Sequence, residues 1–517
     1  MHAILAIARA DFRERVRRSS FLLVLLATVA ASYAFVPARS AGYVTMGFGG
    51  YGGIYNTAWV GTMVAVLVVT MLSLLGFYLV RDAIERDERT GVGQILATTP
   101  MTRMQYTLGK FLSHVAVLAC VAAVTTVMAA VMQELRGEVR RIEPFQLVLP
   151  FLVVVLPALL VVAALAVVFE SLRWLRGAPG SVLYFFVWIA LFSVPVASVA
   201  GNGRYRPYLD PLGWASPASQ IQETVHERFP EYRGDFVLGG DISRRPVHTF
   251  VWQGLDGMRD LGWRFLWALV AVGLAAAAAL PFHRFDPERM PRRSGGERAS
   301  TARSTGRGRR AWRRLGERLA GRSRTLTLVR AEMALLLRSR RRGWGWVALG
   351  LWLACLFAPI AAVRHVLLPL AWVWPLPAWS SMGSQEARHR AETLVFACPR
   401  PLARQLPAAF LAGVLLTALL GSGAALHLTS ARAWGELGAW GVGTLFVPAL
   451  ALAAGVISGG PRLFEVTYLL VWYLGLLNGL PVFDFLAPTA GARTGFLAAT
   501  LCLLVLAFAG RARRLRR

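Results

Sequence analysis

Apolar residues in this chain gather into blocks of about 18–24, the length an α-helix needs to cross the hydrocarbon core of a bilayer. Hydrophobic residues make up 56% of the 517 positions and charged residues only 16%, a balance foreign to a soluble protein. Counting blocks predicts about twelve spans. They lie near 20–36, 57–80, 111–132, 147–170, 181–200, 263–281, 345–363, 367–383, 408–429, 438–458, 464–480 and 494–510. Pro157, Pro195, Pro375, Pro377 and Pro448 are expected to kink the spans that contain them. The fold class is an all-α polytopic membrane protein.

The formal net charge of +28 invites a nucleic-acid reading, but the placement of the charge argues against it. Arg9, Arg13, Arg15, Arg17 and Arg18 precede the first span, Arg511, Arg513, Arg514, Arg516 and Arg517 follow the last, and 282–344 is dense in Arg. The outward segment 201–262 is near neutral, with seven Arg against eight acids. The positive-inside rule then places both termini and the 282–344 stretch in the cytoplasm, as an even span count requires. Lys110 is the only lysine, a bias that reads as high-GC codon usage and a bacterial source. Cys120, Cys355, Cys398 and Cys502 fall in spans or cytoplasmic loops, which leaves no disulfide framework and no metal spacing.

An internal repeat organises the chain. Arg9-Ala10-Asp11-Phe12, with Arg17 five residues on, matches Arg330-Ala331-Glu332-Met333 and Arg338, and each precedes an apolar span. Ile4, Ala8, Phe12 and Val16 fall at four-residue steps, an amphipathic helix in the membrane interface. The second copy is internal and cannot be a cleaved leader, so the first is expected to be retained as well. The expected units are a first half at 1–281, an Arg/Gly/Ser-rich cytoplasmic linker at 282–325, and a second half at 326–517. Each half carries six spans, related by a pseudo-twofold axis along the membrane normal, with elbow helices at the interface and a small outward domain at 201–262.

Between the second and third spans lies a polar loop, Arg81 to Lys110, in which Glu85, Arg86, Asp87, Glu88 and Arg89 come as one burst of both signs. Thr90-Gly91, the apolar run Ile95-Leu96-Ala97, then Pro100 and Arg103 follow. Pro100 disfavours helix at Thr99, so the loop reads as a short helix, a break and a re-entry. A mixed-charge helix with one apolar side suits docking on another protein. A comparable loop recurs at 384–407, with Glu386, Arg388 and Arg390 before Pro401 and Arg404.

Other motifs carry less. Gly47-x-Gly49-x-x-Gly52 matches a dinucleotide fingerprint by letter only, without a preceding strand, and reads as a flexible Gly/Tyr loop. Gly109-Lys110 is followed by Phe111, and Met104 stands where the first Gly of a phosphate-binding loop belongs, so any ATP is bound by a separate polypeptide. No nucleophile–base pair emerges, and the chain is not expected to be an enzyme. The linker, where Trp312, Leu315 and Leu319 share a helical face, reads as a disordered basic segment near anionic lipid rather than a nucleic-acid site. Glu170, His427 and Glu465 are ionisable groups in or at the ends of spans and are candidates for contact with substrate or ions.

The interfacial Arg-Ala-Asp/Glu helix, two spans, and then E-R-D-E-R-T-G, L-A-T-T-P-M-T-R and L-G-K resemble the permeases of the type 2 ATP-binding-cassette (ABC-2) exporters, as two fused units. The resemblance implies that two cytoplasmic ATPase subunits, which hold the ATP and Mg, dock on loops 81–110 and 384–407. It implies docking contacts at Glu85, Arg86, Glu88, Arg89, Thr90 and Gly91, with Pro100 and Arg103 setting the exit. In the second half it implies Glu386, Arg388, Arg390, Pro401 and Arg404, although Glu392-Thr393 only loosely replaces Thr90-Gly91. The cargo expected is hydrophobic or amphipathic, moved across a bacterial cytoplasmic membrane. Two other readings stand beside this one. An ion- or proton-coupled carrier built on two repeats should place ionisable residues at the membrane midplane. A membrane enzyme would use 201–262.

Overall fold

The computed structural model describes residues 2–38, 43–48, 50–202, 205–231, 236–241, 248–282, 324–338, 342–386, 391, 401–477, 482–487 and 489–515. The expected linker face at Trp312, Leu315 and Leu319, and the loop residues Arg388 and Arg390, lie outside the described residues. The chain divides into two compact units, Met1–Gly296 and Glu297–Arg517, a boundary inside the Arg-rich stretch.

In the first unit α1 (His2–Val16) is followed by α2 (Ser19–Phe35), an apolar helix with Leu22 and Leu26 on its exposed side. Strands β1 (Tyr43–Phe48) and β2 (Tyr51–Gly53) come next, then α3 (Thr57–Met71). Asn56 caps α3 by accepting from the Trp59 N–H at 2.8 Å. This helix is the axis of the unit: 83% of its most apolar window is buried, against 39% for the corresponding window of Arg103–Arg136. A π turn at Leu72–Gly76 widens it before a last turn at Phe77–Val80. The wider turn leaves the Ser73 carbonyl available, and the Tyr184 hydroxyl donates to it. Tyr184 also stacks on Phe77, with ring centroids 3.4 Å apart, which locks α3 to the later helix Ala178–Asn202.

Two short helices follow, α4 (Ala83–Thr90) and α5 (Val92–Ala97), and then α6 (Arg103–Arg136). Thr102 and Gln105 form a capping box at the start of α6, which fixes where the chain re-enters the helical layer. A helix at Pro144–Pro150 passes through a π turn, Phe151–Val155, into α7 (Leu156–Ser171). Pro157 lacks the N–H that would bond one turn back, and the extra residue of the π turn absorbs that loss. The second unit repeats the device, a π turn at Val363–Leu367 ahead of Pro369. Pro195, by contrast, sits inside α8 (Ala178–Asn202) without interrupting it.

Gly47 and Gly52 of the expected Gly/Tyr loop lie in strands. β1 and β2 form a hairpin, and their partners β3 (Phe236–Asp241) and β4 (His248–Phe250) come from the expected outward segment, in the order β3-β1-β2-β4. β1 runs antiparallel to β3, Met46 opposite Leu238, and β2 runs parallel to β4. Met46 and Phe48 are buried beneath this sheet. Partners about 190 residues away in sequence cannot be read from a local pattern. The same segment carries α9 (Ala215–Arg228), whose start is held by Asp210 accepting from Gly213 N and Ala215 N. Arg264 of α10 (Leu261–Ala277) bonds the Asp210 carbonyl at 2.8 Å and the Tyr205 hydroxyl at 2.7 Å.

The second unit opens with α11 (Arg324–Arg338) and α12 (Arg342–Phe357). The expected span 367–383 is two short helices, α13 (Leu368–Val373) and α14 (Leu376–Trp379), divided at Pro375. Then come α15 (Pro401–Ser430), α16 (Trp434–Ser458), in which Pro448 is tolerated, α17 (Arg462–Trp472) and α18 (Ala490–Leu515). α16 packs along α18, and α11 packs along α15 as α1 does along α6. Among the described residues six helices are long and apolar enough to cross a membrane, and four shorter apolar helices accompany them. The architecture is all-α and polytopic, with one small sheet.

Candidate functional site

The loop between α3 and α6 is built into the first unit by three anchors. At its entry Arg81 is buried, donating to Ser181 Oγ at 2.6 Å and to the carbonyls of Leu175 and Gly177 at 2.5 and 2.8 Å. The next residue, Asp82, takes a left-handed conformation (φ 74°) that turns the chain sharply, and its own side chain does not cap α4. The cap comes from another helix. Glu170, near the end of α7, accepts from the Ile84 N–H at 2.7 Å. A carboxylate at a helix N-terminus satisfies an otherwise orphaned amide and complements the helix dipole. Glu170, singled out above for substrate or ions, is occupied in holding α4.

The second anchor is a buried ion cluster centred on Asp11 of α1. Its carboxylate takes Lys110 Nζ at 2.7 Å, Arg15 Nε at 2.9 Å and Ser113 Oγ at 2.6 Å, and it also pairs with Arg86 of α4. Lys110 bridges onward to Asp87 at 2.8 Å, and the Tyr106 hydroxyl donates to the same Asp87 carboxylate at 2.7 Å. Arg86 reaches Glu14 at 3.2 Å. Asp11 is 1% exposed and Lys110 4%, so water screens little of this field. Burial pushes the Asp11 carboxyl up, but the charges of Arg15, Lys110, Arg86 and His114 together override it and hold the group well below the usual carboxylate range. α1 can approach α6 this closely because Gly109 faces it: a Cβ there would stand 2.8 Å from Ile7.

The third anchor is apolar. Ile84, Tyr106 and Phe282 form a buried cluster, with Tyr106 stacked on Phe282 at 4.9 Å, and Leu96, Ala97 and Met101 pack against it. α5 thus turns Leu96 and Ala97 inward, while Val92 and Ile95, one turn apart, face out at 43% and 67% exposure. Among the described residues no group of three or more His, Cys, Asp or Glu is placed to hold a metal.

A polytopic unit with an elbow helix clamped to a loop after its second long helix matches the family model described as "ABC-2 family transporter protein" over residues 5–286. The chain belongs to this family. No curated protein matches it. As an ABC-2 family member it is a transmembrane permease component, not itself catalytic, of a kind that normally works with ATPase subunits.

Within this ABC-2 permease the sequence-nominated residues divide into two groups. Arg86 is committed to Asp11 and Glu14, and Glu88 accepts from Arg176 at 2.6 Å, so both serve internal contacts. Glu85 is half-buried, and Arg89 lies in α4 with its side chain outside the described residues. Thr90, Pro100 and Arg103 are exposed. Gly91 joins α4 to α5 with φ 80°, a left-handed corner that a side chain would strain. Sequence reasoning noted Ile95 in an apolar run but named neither it nor the exposed Val92 and Met104 as docking contacts, and it missed the central role of Lys110. The signal for Lys110 was present, since it is the one lysine in a chain that otherwise uses Arg. A compact point charge fits between two carboxylates where a forked guanidinium is bulkier.

In the second unit Arg404 is exposed and Pro401 is the first residue of α15. Glu386 accepts from Gln405 at 2.5 Å and lies 3.2 Å from Arg511. Glu465 is buried at the start of α17, and His427 Nδ1 lies 3.1 Å from the Leu356 carbonyl.

Proposed function

We propose that the chain is the membrane part of an ATP-driven exporter of a bacterial cytoplasmic membrane, with both termini and the 81–110 loop in the cytoplasm. Two separate ATPase subunits bind the ATP and dock on loops 81–110 and 384–407. The observation that carries this reading is the two-sided build of the loop. One face is fastened to α1, α6 and α7 by buried ions and a hydrogen bond, while Val92 and Ile95 of α5, and Arg103 and Met104 at the start of α6, are exposed. An apolar knob with a basic rim suits a groove on a soluble partner. A push on that knob reaches α1 and α6 through Asp11 and Lys110, α7 through Glu170, and the start of α8 through Arg81 and Ser181. The cargo in this reading is hydrophobic or amphipathic, in keeping with a chain that is 56% hydrophobic.

An ion-driven carrier is the weaker reading, because Asp11, Lys110 and Glu170 are used at the loop end of the helices, away from their middles. An enzyme built on 201–262 is weaker still: Asp210 and Asp260 there hold a helix start and Ser216. The test is an Ile95→Asp variant, at a side chain that is 67% exposed. It should insert and fold normally but lose most co-purification of its ATPase and most ATP-dependent transport. Full ATPase binding by Ile95→Asp would refute the docking surface.

A further inference from the structure

In the second unit Glu332 holds the place that Asp11 holds in the first. Each stands in an Arg-Ala-Asp/Glu sequence on a helix that packs along the long helix after a charged loop. The surroundings differ in their cations. Four residues after Asp11 comes Arg15, its ion-pair partner, whereas four after Glu332 comes the buried Leu336. Lys110 lies seven residues beyond Arg103, and seven beyond Arg404 stands Leu411. The acid is kept while two of its cations have become leucines.

What Glu332 meets instead is a second carboxylate. Glu332, Glu386, Gln405 and Arg511 line one cavity of about 200 Å³ whose other walls include Leu335 and Leu452. Gln405 donates to Glu386 at 2.5 Å and hydrogen-bonds Glu332, and Arg511 lies 3.2 Å from Glu386 Oε1. The second oxygen, Glu386 Oε2, is buried without a hydrogen-bond partner among the described residues. Among the described residues two acids therefore share one guanidinium and one amide in a largely apolar pocket, and both cannot ionise cheaply.

We propose that Glu332 carries a proton beside the Glu386 carboxylate, and that its loss is a switch which loosens α11 from the residues opening the second charged loop. With the proton present the described side chains of the pocket set one negative charge against Arg511. Without it a second negative charge is confined in the pocket, and separating the helix from the loop relieves it. The charged and titratable groups acting on Glu332 are Glu386 from the loop and Arg511 from α18, with the Gln405 amide from α15. Burial first, and the Glu386 charge second, push the Glu332 carboxyl up to about 7 against the opposing pull of Gln405 and Arg511. A carboxyl raised in this way favours the closed pocket fully below its ordinary value of 4.5, and that preference is lost as pH rises through about 7. The second unit thus responds to pH near neutrality, where the Asp11 cluster of the first does not.

The test uses the full chain in lipid nanodiscs and needs no ATPase, so its outcome is independent of the docking reading. Amide exchange of 326–338, corrected for the intrinsic pH dependence of exchange, is compared at about pH 6 and about pH 8.5. Protection should fall about fivefold or more at the higher pH, and Glu332→Gln should abolish the difference. An infrared band of a protonated carboxyl should fade over the same interval and be missing from Glu332→Gln. Glu386→Gln, the second variant, should drop the pH at which the band fades toward the ordinary carboxylate range. Unchanged wild-type protection across this range, or a pH response that persists in Glu332→Gln, overturns the proposal.

Discussion

Replacing Lys110 by Met tests whether the loop is fastened to the elbow helix by charge. Methionine keeps much of the volume of the side chain and removes only the ammonium. Two ion pairs are lost, to Asp11 at 2.7 Å and to Asp87 at 2.8 Å, together with the ammonium over the Tyr106 ring. Asp11 still has Arg15, Arg86 and Ser113, but Asp87 is left with the Tyr106 hydroxyl and Arg86 at 4.0 Å. Removing one partner of a buried pair costs about 3–5 kcal/mol, because the other charge stays buried. With Asp11 compensated by its remaining cations, the cost falls near the low end, about 3 kcal/mol. Most of it should trace to Asp87, so Asp87→Asn with Lys110→Met should recover more than half. The assay is unfolding of the purified permease followed by tryptophan fluorescence, run as a double-mutant cycle, with ATP-dependent transport measured in parallel. Lys110→Met should also lose transport more than it loses ATPase binding, since the outward face of the loop is untouched. A destabilisation under about 1 kcal/mol, or additive effects of the two substitutions, would refute the charge-clamp argument.

Other outcomes follow from the same geometry. Glu170→Gln keeps an acceptor for the Ile84 amide but removes the negative charge from the start of α4, so it should cost about 1 kcal/mol and uncouple transport more than it lowers expression. Glu170→Ala should be worse on both measures. The Asp11 cluster should resist acid: Asp11 has a depressed pKa, so its contribution is present above the ordinary 3.8 and is lost only as pH falls below that. Fluorescence of the permease should therefore show no Asp11-dependent change between pH 8 and pH 5, and Asp11→Asn should weaken the protein equally at both. Ile95→Asp, by contrast, should leave unfolding unchanged and fail in ATPase capture and in the transport that depends on it.

Apolar block length and the placement of Arg were enough to specify a many-span helical protein, because a bilayer admits few other uses for such segments. The elbow helix and the charged loop were legible for a related reason: each is a local pattern, a four-residue apolar step or a burst of charge before a proline. Which face of the loop does what was not legible. Arg86 and Glu88 read as surface charges, yet they are turned inward by Asp11 and Arg176, residues 75 and 88 positions away. Glu170 could be placed at the end of a span by counting, but only the fold brings it to the Ile84 amide. The sheet escaped for the same reason, since strand pairing depends on partners that the chain supplies far downstream. Sequence alone determined the solvent this protein is made for, because transfer free energy is a sum over residues. Tertiary structure decided which charges are clamps and which are contacts, because an ion's role depends on its neighbours in space.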